Sequence, residues 1–403
     1  MKLSYQMPNM NTRIPKGFLF STAEAAIKKP GRKDLALICS ERECVMSGMF
    51  TTNAVKAAPV KLDMKRVKTG KGQAIIINSG NANACSGEQG MRDAREMAAI
   101  TASSLKLKES RVYVCSTGVI GTPMPIERIR PKIGELARNL GKATINDAAA
   151  AIMTTDTFPK IVSRRIKLGG KTVMISGVCK GAGMICPTMA TMLCFIMTDA
   201  RIDKSALDAA LKGAVRKSFN RITIDGDMST NDTVLVMANG MAGNELIEKK
   251  SPAFNAFASA LAAVSYALSK LIVQDGEGAT KFVEVEIKNA RNDADAEKGA
   301  FAIANSMLVK TALYGNDANW GRLMAALGYS GIAIKEGKID IALNGVKTAS
   351  KGMSTGRDKE ANEKLRSKEI KISIDLHLGE GSAKVLTCDL TGDYVKINAG
   401  YRT

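Results

Sequence analysis

Histidine is almost absent. His377 is the single one in 403 residues, so most imidazole-based acid–base, metal and triad chemistry has one candidate at best. Aromatic residues are scarce too, at 4% with one tryptophan, which removes the stacking platforms that single-strand nucleic-acid binders interleave with basic residues. The cysteines, Cys39, Cys44, Cys85, Cys115, Cys179, Cys186, Cys194 and Cys388, are scattered without a C-x-x-C pair or dense spacing. That argues against a zinc knuckle or a stapled secreted framework, and for reduced core thiols. The start of the chain is polar, is broken by Pro8 and Pro15, and has no apolar leader segment. No later run reads as long and apolar enough to span a bilayer. These absences predict a cytoplasmic protein without metal, membrane or nucleic-acid partners.

What is present is an ordinary globular mix of 45% hydrophobic and 24% charged residues. Lys and Arg number 58 against 39 Asp and Glu, a net charge of +19 that favours acidic partners. The basic residues are spread over predicted helices and loops, so solvated surface charge that steers anionic small molecules is the better reading.

Hydrophobic periodicity predicts alternating strands and helices. Ala74–Ile77 reads as a buried strand ending at Asn78-Ser79-Gly80-Asn81, followed by a helix over Glu88–Leu107 and a strand over Arg111–Cys115. Ile126, Ile129, Ile133, Leu136 and Leu140 share one helix face. Val173 and Ile175 mark a strand, and the run Met192–Met197 suits one covered on both faces. Phe254, Phe257, Leu261, Val264 and Leu268 mark an amphipathic helix after Pro252, Lys281–Lys288 a strand, and Ile370–Leu378 an alternating strand with His377 on its polar side. Lys351–Lys368 is charged and reads as solvated. The class is α/β or α+β. The polar stretch from Asn289 to Gly299 suggests a main domain over 1–288 and a smaller α/β domain over 289–403.

Several motif-like stretches fail on spacing. Gly276–Lys281 lacks the four-residue gap and Gly-Lys-Ser/Thr ending of a phosphate-binding loop. Asp225–Ser229 opens like a calcium loop, but Thr230 stands where Gly is needed and Val236 where a bidentate Glu is needed. Cys179, Cys186 and Cys194 have no histidine near them, and buried inert thiols fit them better than metal ligands. In Lys180–Leu193, small residues and Pro187 precede Ala190-Thr191 and an apolar run, a composition that by itself describes a loop entering a strand.

The wording of that stretch, KGAGMICPTMATML, resembles the self-cleavage motif of the ornithine acetyltransferase / glutamate N-acetyltransferase family of arginine biosynthesis. NSGNANACSG (78–87), STGVIG (116–121), TTDT (154–157), FNRITIDGDMSTND (219–232), QDGEGATK (274–281), NDANWGRLMAALG (316–328) and the closing NAGYRT (398–403) resemble the same family in the same order.

The resemblance implies a precursor that cuts itself between Ala190 and Thr191, giving an α chain of residues 1–190 and a β chain of 191–403. It implies ping-pong transfer of the acetyl group of N-acetylornithine to glutamate, with Thr191 as nucleophile. A freed Thr191 carries a hydroxyl and an α-amine of ordinary pKa about 7.7–8.0, which can serve as its own base, so no imidazole is needed. By the same resemblance Thr117 and Gly118 form the oxyanion hole, the first through its hydroxyl and the second through its backbone N–H. Thr154, Lys180, Thr191, Glu277, Asn398 and Thr403 would contact substrate; a carboxylate at Glu277 suits an amino group, and Lys180 suits a carboxylate or aids cleavage. The implied fold is an αββα-type sandwich, layered like N-terminal nucleophile hydrolases but connected differently. The implied assembly is α2β2, without a cofactor, and acetyl-CoA is open as a second acetyl donor.

Three positions depart from the family pattern: Cys186, Thr188 where Asn is expected, and Gly400 where an acidic residue is common. Two rival readings remain at this level. An N-terminal nucleophile aminopeptidase would also self-cleave, whereas a basic nucleic-acid-binding or structural protein would stay one chain and bind with steep salt dependence.

Overall fold

The structure, a computed structural model, describes residues 13–186 and 192–400. Ala190 and Thr191, with Thr188 and Thr403, lie outside the described residues. Contacts divide the chain into a larger unit, with its described residues in 13–220 and Asp227–Ile272, and a smaller unit of Arg221–Gly226 and residues 273–400.

The larger unit is built on one sheet. Its strands are β1 (Phe18–Ala23), β2 (Leu35–Phe50), β3 (Lys71–Asn78), β4 (Val112–Ser116), β5 (Lys160–Leu168), β6 (Lys171–Lys180), β7 (Leu193–Thr198) and β8 (Thr233–Ala238). They run in the order β4-β3-β2-β8-β7-β6-β5, with β1 on β2. The pairs β3–β4 and β7–β8 are parallel. The long strand β2 serves two neighbours: Leu35–Cys39 pairs with β3 and Val45–Phe50 with β8, with a register shift between Cys39 and Cys44.

Both faces of this sheet are covered, which is why its strands read as unbroken apolar runs. Successive side chains face opposite ways. Ala74 and Ile76 therefore pack with Leu35, Leu37, Val112 and Val114 against α2 (Gly87–Leu105) and α3 (Ile126–Arg138). Ile75 and Ile77 join Phe195, Met197 and Leu235 on the other face, beside α4 (Ile145–Ala151). Burying each such side chain is worth about 1.5–3 kcal/mol as an upper bound. The edge strand β4 is closed by α1 (Ala58–Arg66): both Asp63 oxygens accept from Val114 N–H at 3.2 Å and Arg66 donates to the Val112 carbonyl. Helix α5 (Lys204–Arg216) starts at Asp203, whose carboxylate accepts from Ala206 N–H.

Helix α6 (Pro252–Gln274) buries Phe257, Leu261, Val264 and Leu268, as their spacing predicts. A Cβ at Gly177 of β6 would stand 2.7 Å from Leu268 Cδ1, so glycine there admits the helix. This helix corrects one expectation. With 23 residues and a mean hydropathy of 1.7 over its most apolar window, α6 is long and apolar enough to cross a membrane, and half of that window is buried inside the protein. Hydropathy reports an apolar helix without reporting what it lies against.

The smaller unit holds the sheet β12-β11-β10-β13-β9-β14, made of β9 (Phe282–Ala290), β10 (Asp340–Leu343), β11 (Val346–Ser350), β12 (Met353–Ser354), β13 (Glu369–Asp375) and β14 (Gly381–Cys388). Its core joins Val283, Val285, Ile287, Ile370, Ile372 and Ile374 to α7 (Asp293–Ala304), α8 (Met307–Tyr314) and α9 (Trp320–Gly328). A short α10 (Asp358–Lys364) lies in the charged, mostly exposed stretch, and α11 (Gly392–Ala399) ends the described chain. The unit begins earlier than the junction expected at Asn289. Strand β9 pairs with β13 on one side and β14 on the other, and the polar residues after it are its end and the capped start of α7. His377 follows β13 in a left-handed conformation at φ 48°, about half exposed between Asp340 and Asp375. The mixed, layered α/β class expected from the sequence is what the chain adopts.

Candidate active site

The parallel strands β3 and β4 end side by side at Asn78 and Ser116. Ligands of open α/β sheets collect at such strand ends. Asn78 organises both turns that leave them: its Nδ2 donates to Ser116 Oγ at 2.7 Å, and its Oδ1 accepts from Gly80 N–H at 3.3 Å and Asn81 N–H at 3.1 Å. The Asn78 carbonyl accepts from Thr117 N–H at 3.0 Å. Thr117 has thus committed its amide and keeps its hydroxyl for other work.

Gly118 sits at φ 136° in contact with the neighbouring turn. A Cβ there would stand 2.4 Å from the Gly80 carbonyl carbon and 2.6 Å from Asn81 N, so only glycine fits. Its N–H engages no hydrogen bond among the described residues. Hydroxyl and N–H therefore come from adjacent residues on a turn held from behind by backbone.

Lys180, at the end of β6 and 3% exposed, donates to Thr117 Oγ1 at 3.5 Å. Beside it lies a buried carboxylate. Asp156 Oδ1 accepts from the fully buried Lys160 Nζ at 2.7 Å and from Gly181 N–H at 2.7 Å, and its Oδ2 accepts from Thr154 N–H at 3.0 Å. Burial opposes ionisation of Asp156, but the Lys160 and Lys180 ammonium groups outweigh it and hold the carboxyl well below the usual range. One side chain thereby fixes Thr154 and the turn leaving Lys180.

A second buried carboxylate closes the group. Asp232, directly before β8, accepts from Met192 N–H through Oδ1 at 2.9 Å, while the Met192 carbonyl accepts from Thr233 N–H at 3.0 Å. Its neighbour Asn231 donates to the carbonyls of Ala82 at 2.6 Å and Ser116 at 2.8 Å, tying this segment to the turns around Thr117. Burial pushes the Asp232 carboxyl well above the ordinary range, while the Met192 N–H, the Lys180 charge and the Ser229 side chain favour ionisation.

Thr154 lines a cavity of about 420 Å³ together with Arg32, Lys33, Asp147, Met153 and Asp156. Arg32 forms part of the wall by donating to the Ser79 carbonyl, Ser79 Oγ and the Met153 carbonyl. In the smaller unit, Asn398 Nδ2 donates to Glu277 Oε2 at 2.8 Å. Gly278 at φ 69° leaves no room for a side chain against Tyr394 N, and Thr391 Oγ1 donates to the Gly278 carbonyl at 2.7 Å, so the Glu277 turn is stitched to α11.

The structure thus brings Thr117, Gly118 and Lys180 together with Thr154 nearby, and separately brings Glu277 to Asn398. Cys186 is partly buried and Gly400 is an exposed residue capping α11. No group of three His, Cys, Asp or Glu side chains able to hold a metal occurs among the described residues. Asn78, Asp156, Lys160, Asn231 and Asp232 escaped the sequence reading. The signal was present, since TTDT and STND each place an acidic residue beside an apolar strand, where a charge needs a reason.

Comparisons with known proteins agree along the whole chain. Residues 19–403 match the model of the ArgJ family. The arginine biosynthesis bifunctional protein ArgJ of Geobacter sulfurreducens is 55% identical over 390 residues, covering 96% of this chain and 99% of that protein. The protein of the same name from Caldanaerobacter subterraneus is 52% identical over 395 residues, 97% of this chain and 98% of that one. Among solved structures, the arginine biosynthesis bifunctional protein argJ of Bacillus halodurans is 48% identical at a TM-score of 0.50, matching 98% of its own chain to 51% of this one. Matches of this length and identity mean that the chain belongs to the ArgJ family.

Proposed function

We propose that this protein is a glutamate N-acetyltransferase and ornithine acetyltransferase of arginine biosynthesis that matures by cutting itself between Ala190 and Thr191. The family match carries the activity. The observation that carries the mechanism is the turn at Thr117-Gly118: one amide is tied to Asn78, and the adjacent hydroxyl and N–H remain as a donor pair.

Thr191 Oγ attacks the acetyl carbonyl of N-acetylornithine while its own α-amine takes the hydroxyl proton. The developing oxyanion is met by the Thr117 hydroxyl and the Gly118 N–H. The Lys180 ammonium donates to Thr117 Oγ1, which leaves the hydroxyl hydrogen to be given and makes it a stronger donor. As the tetrahedral carbon collapses, the proton passes to the departing nitrogen and ornithine leaves, with the acetyl group now an ester on Thr191. The amine of glutamate attacks that ester, its proton returns through the α-amine to Oγ, and N-acetylglutamate departs. Thr154, beside a cavity flanked by Arg32 and Lys33, is suited to a substrate carboxylate. The chemistry asks for no cofactor; acetyl-CoA would enter as an alternative acetyl donor.

Two further observations support this reading. The Bacillus halodurans chain corresponds to 51% of this one, the proportion expected of one product of a cut near the middle. Cys39, Cys44, Cys115, Cys194 and Cys388 are buried free thiols, in keeping with a reducing cytoplasm. Intact-mass and native-mass measurements on the parent and on Thr191→Ala test the proposal. The parent should give two fragments in an α2β2 particle of twice the single-chain mass. The variant should give one full-length chain inactive in acetyl exchange between N-acetylornithine and glutamate. An uncut, fully active parent ends the proposal, and acetyl-CoA as sole donor decides the second activity.

A further inference from the structure

The loop between β1 and β2 carries Lys28-Lys29-Pro30-Gly31-Arg32-Lys33, four cations in six residues, with Lys28, Lys29 and Lys33 exposed and Arg32 partly buried. It is an ordered loop. Ala26 sits at φ 51°, a left-handed conformation that is costly for any residue with a side chain and persists only where the surroundings impose it. Buried Asp34 imposes it, since its two oxygens accept from Ala25 N–H at 2.7 Å and Ile27 N–H at 2.6 Å, on either side of Ala26. Glu24 Oε1 accepts from Gly31 N–H at 2.8 Å, and Arg128, a fifth cation, donates to the Ala26 carbonyl at 3.0 Å. The loop is also seated against the proposed oxyanion turn. A Cβ at Gly80 would stand 2.7 Å from Ile27 Cβ and 3.1 Å from Lys28 N, and it is on the carbonyl carbon of the same Gly80 that Gly118 packs. Arg32 reaches the other way: Nη2 donates to the Ser79 carbonyl at 3.0 Å, to Ser79 Oγ at 2.9 Å and to the Met153 carbonyl at 2.6 Å, while Nε and Nη1 make no hydrogen bond among the described residues. Arg32 and Lys33 then line the cavity of about 420 Å³ that Thr154 shares.

The acidic groups around this loop are already engaged. Glu24 and Asp34 hold the loop's own backbone, Asp147 accepts from Thr144 N–H and Oγ1, and Asp156 is paired with Lys160. The cations crowd one another instead: the Lys28 ammonium is held below its ordinary value by partial burial and then by the charges of Lys29 and Arg32. Like charges kept together on an ordered loop are best relieved by a ligand bringing several negative charges at once. We propose that the loop Lys28–Lys33 binds the phosphate groups of a phosphorylated acetyl donor, acetyl-CoA, and holds its nucleotide end at the rim of the cavity beside Thr154. The inference rests on the acetyltransferase reading above and gives the second donor left open there a site. A carboxylate of N-acetylornithine or glutamate brings one charge to such a surface, whereas the pyrophosphate and 3′-phosphate of coenzyme A bring several. The cavity size agrees, since clefts of about 300–1,000 Å³ take ligands larger than a single amino acid.

The test uses the purified full protein with Lys28→Gln and Lys29→Gln combined, and Lys29→Glu alone, leaving Arg32, Lys33 and Thr154 in place. Three reactions are compared by initial rates: glutamate acetylation from acetyl-CoA, the same from S-acetylpantetheine, which has the thioester but no phosphate, and exchange between N-acetylornithine and glutamate. In both variants the KM for acetyl-CoA should rise about tenfold or more, with kcat near the parent's. The constants for S-acetylpantetheine and N-acetylornithine should stay at the parent's values. An unchanged KM for acetyl-CoA overturns the proposal, and so does an equal rise for all three donors, which would mean that the loop shapes the cavity and does not read phosphate. Should the double variant melt well below the parent, Lys29→Glu at its exposed position decides by the same criteria. A parent that acetylates glutamate from N-acetylornithine but not from acetyl-CoA overturns this proposal alone, whereas a parent inactive with every donor is the failure of the underlying reading.

Discussion

In the proposed transfer, Thr117 would owe its role as oxyanion donor to what its backbone already does. With its amide committed to the Asn78 carbonyl, the hydroxyl is what it has left to offer, and Lys180 sharpens that hydroxyl as a donor. Thr117→Ala is expected to lower kcat by about 10²–10³ while leaving KM within a few-fold, because an oxyanion donor acts on the transition state and not on bound substrate. Steady-state kinetics on cleaved enzyme measure this, and a pure KM effect would assign Thr117 to substrate binding instead.

At the scale of elements, the site depends on how β6 ends. Asp156 receives the Gly181 N–H at the exit of that strand and the buried Lys160 from β5, so a single carboxylate fixes the geometry of Lys180 from below. Removing one partner of a buried pair costs about 3–5 kcal/mol, since the other is left charged and dry. Asp156→Ala is therefore expected to lose that much in urea unfolding and to release Lys180 from its place by Thr117. The pH dependence follows from the sign of the shift. The folded-state carboxyl titrates below its unfolded value near 3.8, so its stabilisation is complete above that pH and is lost as pH falls through the acid range below it. An acid-unfolding profile of Asp156→Ala lacking that loss would confirm the assignment. Strands β5 and β6 form an antiparallel pair, and their pairing brings Lys160 opposite Cys179, one residue from Lys180.

For the whole molecule, the net charge of +19 has a differential effect on the two substrates. Glutamate carries a net negative charge, whereas N-acetylornithine is a zwitterion near zero. A positive surface raises the local concentration of the first and barely touches the second. Raising ionic strength shortens the Debye length from about 10 Å at 0.1 M to about 3 Å at 1 M. The KM for glutamate should climb over that range while the KM for N-acetylornithine stays near constant, as initial rates at each salt level will show. A parallel rise in both would mean that salt acts on the fold or on the site, not through the surface field.

Much of this was legible in the chain itself, because apolar periodicity is a local property. The runs Ala74–Ile77 and Met192–Met197, the stripe from Ile126 to Leu140 and the alternation from Ile370 onward each became the element they spell, and the family blocks pointed to Thr117, Gly118 and Lys180 by their wording. What the chain could not show is what each element lies against. Hydropathy alone did not distinguish α6 packed on a sheet from a membrane span, and a polar stretch after Asn289 looked like a junction although β9 had already entered the smaller unit's sheet. The buried polar cluster was equally hidden, since Asn78, Asp156 and the adjacent pair Asn231-Asp232 are far apart in sequence and are buried together only once the sheet of the larger unit assembles. Local composition determines which residues must be buried; only the folded chain decides which charges are buried together, because an electrostatic environment is made by neighbours in space.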